Sequence, residues 1–137
     1  MKKLLVFFAI SSILFACGNN NSSAGFEKAE DAQDAGRLFI RASLDGDYDR
    51  ALNYMLKDSM NVMILRKWKD ESYDKLSNEN KINYKNANIL PIKIENVSDS
   101  IVSYAYSNTF KRNDTTVLFI VRSKGDWKVD LKKIHRY

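Results

Sequence analysis

The sequence is poor in the residue types from which most catalytic centres and metal sites are built. Its 137 residues include one cysteine, one histidine, one proline and five glycines. A single cysteine excludes an internal disulfide, and His135 alone cannot supply the several ligands that a zinc site needs. A glycine-rich phosphate loop is also missing, and no Ser-His-Asp or Cys-His set is indicated. We therefore expect no catalytic residues, no metal site and no cofactor.

The first residues have the pattern of an export signal. Lys2 and Lys3 precede an apolar run, residues 4–15, which is interrupted only by two serines. This run is shorter than the roughly 20 apolar residues that a membrane-spanning helix requires. Residues 1–16 are therefore predicted to form a signal peptide that is removed from the mature protein.

The only cysteine directly follows a small residue at the end of this run. Leu14-Phe15-Ala16-Cys17 resembles the lipobox of bacterial lipoproteins, with Phe15 bulkier than the usual residue at its position. The resemblance implies that Cys17 is acylated and holds the protein to membrane lipid, whereas the alternative is an unpaired thiol. Residues 18–25 are small or polar, so residues 17–26 are predicted to be the lipidated cysteine followed by a flexible tether. Some lipoproteins of Bacteroidetes carry acidic residues just after the cysteine, which resemble a surface-export signal. This tether has no acidic residue before Glu27, so the comparison implies attachment to the outer membrane on its periplasmic side.

The charge of the mature chain is mild. Loss of Lys2 and Lys3 leaves 20 basic and 17 acidic residues, a net charge of about +3. Nucleic acid is not an expected partner of an exported chain with this charge. The densest basic cluster, Lys132-Lys133 with Arg136, is interpreted either as a solvated strand end or as a contact for acidic headgroups or glycans. Residues 27–137 have the length of one domain.

Apolar spacing predicts three helices before residue 77. The first has an apolar face made of Ala32, Ala35, Gly36, Phe39 and Ile40. Gly46 is predicted to end this helix, and Asp47 to cap a short second one. The third begins at Asp58 or Ser59 and includes Trp68. Residues 81–86 are ambiguous between helix and loop.

From residue 90 the apolar period changes to two, which predicts strands. The four predicted strands span residues 90–94, 101–110, 115–122 and 127–132. Pro91 indicates an edge strand. The third strand is almost wholly apolar, so we expect it to be central and covered on both faces, and Gly125 marks a tight hairpin after it. Helices followed by strands predict an α+β fold with helices packed on one face of an antiparallel sheet.

This order of elements resembles the NTF2-like superfamily, the cystatin-like cone, and more narrowly its small lipoproteins of the DUF4878 type, as found in Bacteroidetes. The resemblance rests on residues 39–51, FIRASLDGDYDRA, and on the closing residues 125–130, GDWKVD. It implies three N-terminal helices packed on a curved four-stranded antiparallel sheet. It implies no particular activity, because this fold hosts isomerases, dehydratases, assembly modules and binding proteins.

Aromatic residues are the strongest functional signal. The residues expected to line a pocket at the mouth of the cone are Trp68, Tyr104, Tyr106, Phe119 and Trp127. Core packing is the alternative interpretation of this set. The expected function is a non-enzymatic module that binds a small ligand or an envelope protein. An isomerase- or dehydratase-type enzyme for an apolar substrate, with Asp49 or Asp130 beside a tyrosine, and a homodimer through the outer sheet face are the alternatives.

Short acidic patterns have two further interpretations. The alternating acids of residues 45–49 suggest a calcium loop, but the glycine and the bidentate glutamate that such a loop needs are missing, so a helix stop followed by an N-cap is preferred. Three Asp-Ser or Asp-Thr triplets resemble the O-glycosylation acceptor of exported Bacteroidetes proteins. Their acceptor residues are Ser59, Ser100 and Thr115.

Overall fold

The computed structural model describes residues 25–136, so Cys17, the predicted signal peptide and most of the predicted tether lie outside the described residues. The elements are α1 (Ala32–Asp45), α2 (Tyr48–Asn53), α3 (Ser59–Trp68), a π-helical turn (Lys69–Tyr73), α4 (Asn78–Asn86), β1 (Ile89–Ser98), β2 (Ile101–Asn108), β3 (Thr116–Ser123) and β4 (Asp126–Arg136). The predicted α+β class is confirmed, with four α-helices where the sequence predicts three. No helix among the described residues is long and apolar enough to cross a membrane.

Helix α1 is the central helix of the core. Asp31 caps it by accepting from the backbone N–H of Asp34 at 2.8 Å. Gly46 ends it in the left-handed conformation, with φ of 75°, because a residue without Cβ adopts this conformation at little cost. All five residues of the predicted apolar face are buried. The apolar face of this helix was therefore predictable from spacing, and its stop from the glycine at position 46.

The region after α3 differs from the prediction. The third helix ends at Trp68, continues as the π-helical turn, and is followed by a fourth helix, α4, where the sequence is ambiguous. Ser77 caps α4. The guanidinium of Arg41, on α1, donates to the carbonyls of Lys85 at 2.9 Å and Ala87 at 2.7 Å. Because α4 has no apolar stripe of its own, these tertiary contacts hold it in place.

The sheet is open and antiparallel, with strand order β1-β2-β3-β4. Its inner face packs under α1 and includes Val102, Tyr104, Leu118 and Ile120, each at most 5% exposed. The alternate residues of β3 are only partly buried, so the outer face of this strand is less covered than its apolar run predicts. Lys124 and Gly125 both have positive φ, as expected for the tight hairpin between β3 and β4.

The two edge strands of the sheet, β1 and β4, differ in their backbone pairing. Edge strand β4 is bridged by the segment after α2, since Val129 donates to the Tyr54 carbonyl at 2.8 Å and accepts from the N–H of Leu56 at 2.9 Å. Edge strand β1 contains Pro91, in the edge position that the sequence predicts, and has irregular pairing next to it.

A buried polar cluster joins α3 to a bulge in β4. Asn61 is fully buried; its Nδ2 donates to Asp58 at 2.7 Å and to Asp130 at 3.3 Å, and its Oδ1 accepts from the N–H of Leu131 at 2.6 Å. Lys132 reaches the same Asp58 carboxylate at 2.9 Å. Hydrogen bonds from Lys132 and Asn61 lower the pKa of Asp58 to about 2. The cluster replaces the strand pairing that the bulge interrupts.

Replacing Asn61 with alanine should cost about 2–3 kcal/mol of unfolding free energy, because the Leu131 N–H and the Asp130 carboxylate lose a buried partner. Urea denaturation measures this loss. Asn96→Ala, at an exposed position on β1, is the control and should change stability by less than about 0.5 kcal/mol. Equal stability of the two variants would contradict a structural role for the cluster.

The lowered pKa of Asp58 predicts an acid-sensitive contribution to stability. A carboxylate whose folded pKa lies below its unfolded value stabilises the fold above the unfolded pKa, and this contribution is lost as pH falls through the folded value. Between about pH 4 and the folded pKa of about 2, the wild type should therefore lose more stability than Asp58→Asn, which cannot titrate. Parallel pH-stability curves of the two proteins would contradict an acid-sensitive contribution of Asp58 to stability.

Candidate functional site

A cavity of about 400 Å³ opens between the helices and one end of the sheet. The end of α1, α2, the π-helical turn and α4 form one side, and the ends of β2 and β3 with their connecting loop form the other. Its lining is rich in aromatic and hydroxyl side chains: Ser43, Tyr48, Trp68, Ser72, Tyr73, Tyr84, Tyr106, Thr115 and Thr116. Such a mixture suits a ligand that has both apolar faces and polar groups.

Each aromatic wall of the cavity is braced by a second ring. Tyr48 and Tyr73 meet edge to face at 5.6 Å between centroids. Trp68 lies 6.4 Å from the buried ring of Phe39. Tyr84 is held edge-on to Phe110 at 4.9 Å, and Tyr106 to Tyr104 at 6.2 Å. Rings held in this way present a preformed surface, which reduces the ordering cost of binding.

Tyr73 depends on the glycine that ends α1. A Cβ on Gly46 would collide with the phenol oxygen of Tyr73, so the ring packs directly over the helix stop. Burial, followed in size by the nearby Asp45 carboxylate, raises the pKa of Tyr73 above its usual value. The phenol is therefore neutral at physiological pH. One glycine thus ends the helix and leaves room for a wall of the cavity.

Residues 45–49 form the helix stop and N-cap that the sequence interpretation preferred to a calcium loop, and arginines hold the stop. Asp45 accepts from Arg41 Nε at 3.0 Å and from Arg50 Nη2 at 2.5 Å, and Asp47 caps α2. Within residues 25–136, no group of three or more His, Cys, Asp or Glu is arranged to hold a metal ion. Because Arg41 also binds the last carbonyls of α4, the Arg41–Asp45 pair positions Tyr84 above the cavity.

Asn108 supplies a fixed polar group to the cavity. The residue is 7% exposed, and its Oδ1 accepts from the backbone N–H groups of Phe110 at 3.0 Å and Lys111 at 2.9 Å. Two N–H donors can share only the oxygen of the amide, so this turn sets the orientation of the side chain. Asn108 also lines the cavity, and its Nδ2 is not used by this turn.

The interior of the cavity carries no charge. Its only charged lining residues among those described are Lys111 and Asp114, both exposed at the rim and opposite in sign. Asp130 belongs to the buried cluster around Asn61, and Asp49 is exposed on α2; neither lines the cavity. Acid–base catalysis of the kind considered above would need a carboxylate inside.

The five sequence-predicted pocket residues do not gather in one place. Trp68 and Tyr106 line the cavity. Tyr104 is 1% exposed beneath α1, so it is core. Phe119 is on the outer face, because it alternates with the buried Leu118 and Ile120. Trp127 is on β4, where it pairs with Arg122 at the end of β3 that is farther from the cavity. It lies beside a smaller cleft of about 220 Å³.

The cavity residues that the sequence interpretation missed include Tyr48, Tyr73, Tyr84 and Asn108. The three tyrosines lie on α2, the π-helical turn and α4, and only tertiary packing brings these elements together. Successive side chains of a strand point to opposite faces, and this rule alone could have separated Phe119 from Leu118 and Ile120. No family model, curated protein or solved structure matches this chain, so its function must be argued from the geometry.

Gly46→Ala should destabilise the protein more than Gly125→Ala. Both glycines have positive φ, so each substitution costs about 1 kcal/mol in backbone strain. Open space surrounds Gly125, whereas a Cβ at Gly46 must displace Tyr73. Urea denaturation should therefore show an additional loss for Gly46→Ala alone, and truncating the ring in Gly46→Ala/Tyr73→Leu should reduce it. Equal losses for the two alanine variants would refute the close packing of Tyr73 on Gly46.

Proposed function

We propose that this protein is a lipid-anchored, non-enzymatic binding protein whose cavity takes a small neutral ligand. The observation that carries the proposal is the uncharged, aromatic-walled cavity with the oriented amide donor of Asn108. Its volume of about 400 Å³ lies within the range of small-molecule sites. A compact ring-shaped compound, with apolar faces for the tyrosines and Trp68 and an acceptor atom for Asn108, matches the lining.

Binding is favoured over catalysis by the position of the carboxylates. Among the residues that the structure describes, Asp114 is the one carboxylate on the cavity, and it is exposed at the rim. A general acid or base must lie within hydrogen-bonding reach of the reacting atoms, and an exposed aspartate at the rim is not placed inside the cavity. An envelope protein that inserts a side chain into the cavity is a second ligand class that the same surface could accept.

We also propose kinship with the NTF2-like fold, in its small lipoprotein form of the DUF4878 type. Helices packed on one face of an open antiparallel sheet, with an aromatic cavity at one end, support this. The helix stop at residues 45–47 and the hairpin at Gly125, which carry the sequence resemblance, form local structures of the expected kind. The fold argues for a pocket and leaves the ligand open.

Single-tryptophan variants test the cavity directly. In Trp127→Phe only Trp68 remains to report on the cavity, and in Trp68→Phe only Trp127, at the other end of β3, remains. A neutral 4-nitrophenyl glycoside, which quenches tryptophan emission, is the probe. We expect saturable quenching of Trp68 and only collisional, non-saturating quenching of Trp127 in the full chain in mild detergent. Indistinguishable quenching of both would contradict the cavity as the site.

Asn108→Asp is the matched test of the polar contact. The carboxylate can still accept from Phe110 and Lys111, so the turn should keep its geometry. The donor to the ligand is lost and a charge is added, which should weaken binding of the same probe at least about tenfold. Native mass spectrometry of gently extracted protein would identify a co-purifying ligand or protein partner. Probe affinity unchanged by Asn108→Asp would remove this residue from the site.

Cys17→Ser tests the anchor. The lipobox-like residues 14–17 support acylation, and without the thiol neither lipid transfer nor the associated cleavage should occur. We expect the variant to be uncleaved or soluble and to lack the mass of the acyl chains, by membrane fractionation and intact mass spectrometry. An unchanged membrane fraction together with an unchanged mass would exclude lipid attachment at Cys17.

A further inference from the structure

Strand β1 has an open edge. The sheet ends at β1, which pairs with β2 on one side only. The opposite edge strand, β4, is bridged by Tyr54 and Leu56, and nothing in the described part of the chain does this for β1. An open edge presents unpaired N–H and C=O groups, which readily pair with a strand of another chain.

The open edge also exposes apolar side chains. Ile92 and Val97 are each 56% exposed and Ile94 is 36% exposed, although all three lie in a strand. Exposed isoleucine and valine along an unpaired edge favour association with another surface. The composition of β1 therefore indicates a partner at this edge.

The charges of β1 select one register for pairing with a second copy. Lys93 pairs with Ala105 and Glu95 with Ser103, which puts both charged side chains on the outer face, while Ile94 is on the inner face opposite Tyr104. When two antiparallel copies continue one sheet, residues directly opposite each other share a face.

Near the centre of β1, three symmetric registers place residues of the same face opposite each other. They are centred on Lys93, on Ile94 and on Glu95. Centring on Lys93 or on Glu95 sets like charges directly opposite each other, which is destabilising. Centring on Ile94 instead sets Lys93 of each copy opposite Glu95 of the other, twice in one dimer. The strand is thus self-complementary in charge about Ile94.

We propose that the protein forms a symmetric homodimer in which two β1 strands pair antiparallel about Ile94, joining the two sheets into one. Within a chain, Lys93 Nζ lies 2.8 Å from Glu95 Oε1, and the two side chains are 66% and 54% exposed. An exposed ion pair of this kind is weak, so each residue can exchange its partner when two chains associate. Pro91 and the irregularities on either side of residues 93–96 restrict the new ladder to a short segment. The dimer is therefore reversible.

A cysteine at residue 94, on the proposed two-fold axis, tests the register through disulfide formation. Opposed residues of an antiparallel pair have Cα atoms about 4.5–5.5 Å apart, within the distance that a disulfide spans. In the full chain in its membrane, Ile94→Cys should give a disulfide-linked dimer on mild oxidation. Ile82→Cys, at a 58% exposed position on α4, is the matched control, and the wild type shows any linkage through Cys17. No more linked dimer from Ile94→Cys than from Ile82→Cys would overturn the proposal.

Charge reversal separates the dimer contact from effects on folding. Added to Ile94→Cys, either Lys93→Glu or Glu95→Lys should reduce the linked dimer about tenfold, since two symmetric contacts become repulsive. Co-expression of these two variants should restore a mixed dimer, because a chain with two acidic residues then meets one with two basic residues. The pair within each chain stays repulsive, so improved folding cannot explain the recovery. Full linkage in both single variants, or no recovery on mixing, would refute the register.

Discussion

The structure depends on the close approach of α1 to the sheet. A Cβ on Gly36 would lie 2.9 Å from Ile120 and 3.1 Å from the ring of Tyr104, so the helix rests directly on the inner face of the strands. Phe39 and Ile40, the next apolar turn, are fully buried by this contact. Burial of such side chains contributes about 1.5–3 kcal/mol each, which makes this layer the main source of stability. Every other helix is placed relative to α1 or to the sheet beneath it.

Polar contacts position the elements that the apolar core does not hold. Arg41 binds the last carbonyls of α4 while paired with Asp45, and the cluster around Asn61 fastens α3 to the bulge of β4. Within the described residues, every buried side-chain nitrogen and oxygen has a hydrogen-bond partner. Because an unpaired buried polar group is costly, such contacts fix an arrangement more strictly than their net energy suggests. These contacts thereby also set the positions of Tyr73 and Tyr84 in the walls of the cavity.

The proposed functions use two surfaces that the chain does not fill by itself. The cavity lies where α1 ends, and its aromatic walls come from elements that are separated in sequence. The edge of β1 lies at the side of the sheet farthest in strand order from β4. Cys17 would add a third contact, with lipid, ahead of the domain. A ligand, a second copy and a membrane could therefore be bound together without competing for the same residues.

Local features could be predicted from the amino-acid sequence: the apolar face of α1, its stop at Gly46, the cap at Asp47, the start of α3 at Asp58 or Ser59, the edge position of Pro91 and the hairpin at Gly125. Each depends on spacing or on the conformational preference of one residue, which the chain carries in any context. Tertiary contacts were needed to establish that α4 is a helix, that Tyr104 is core and that Phe119 lies on the outer face. They were also needed to bring together the cavity residues Tyr48, Tyr73, Tyr84 and Asn108. Those outcomes require contacts between residues far apart in the chain, such as Arg41 with the end of α4, and local preferences do not encode such contacts.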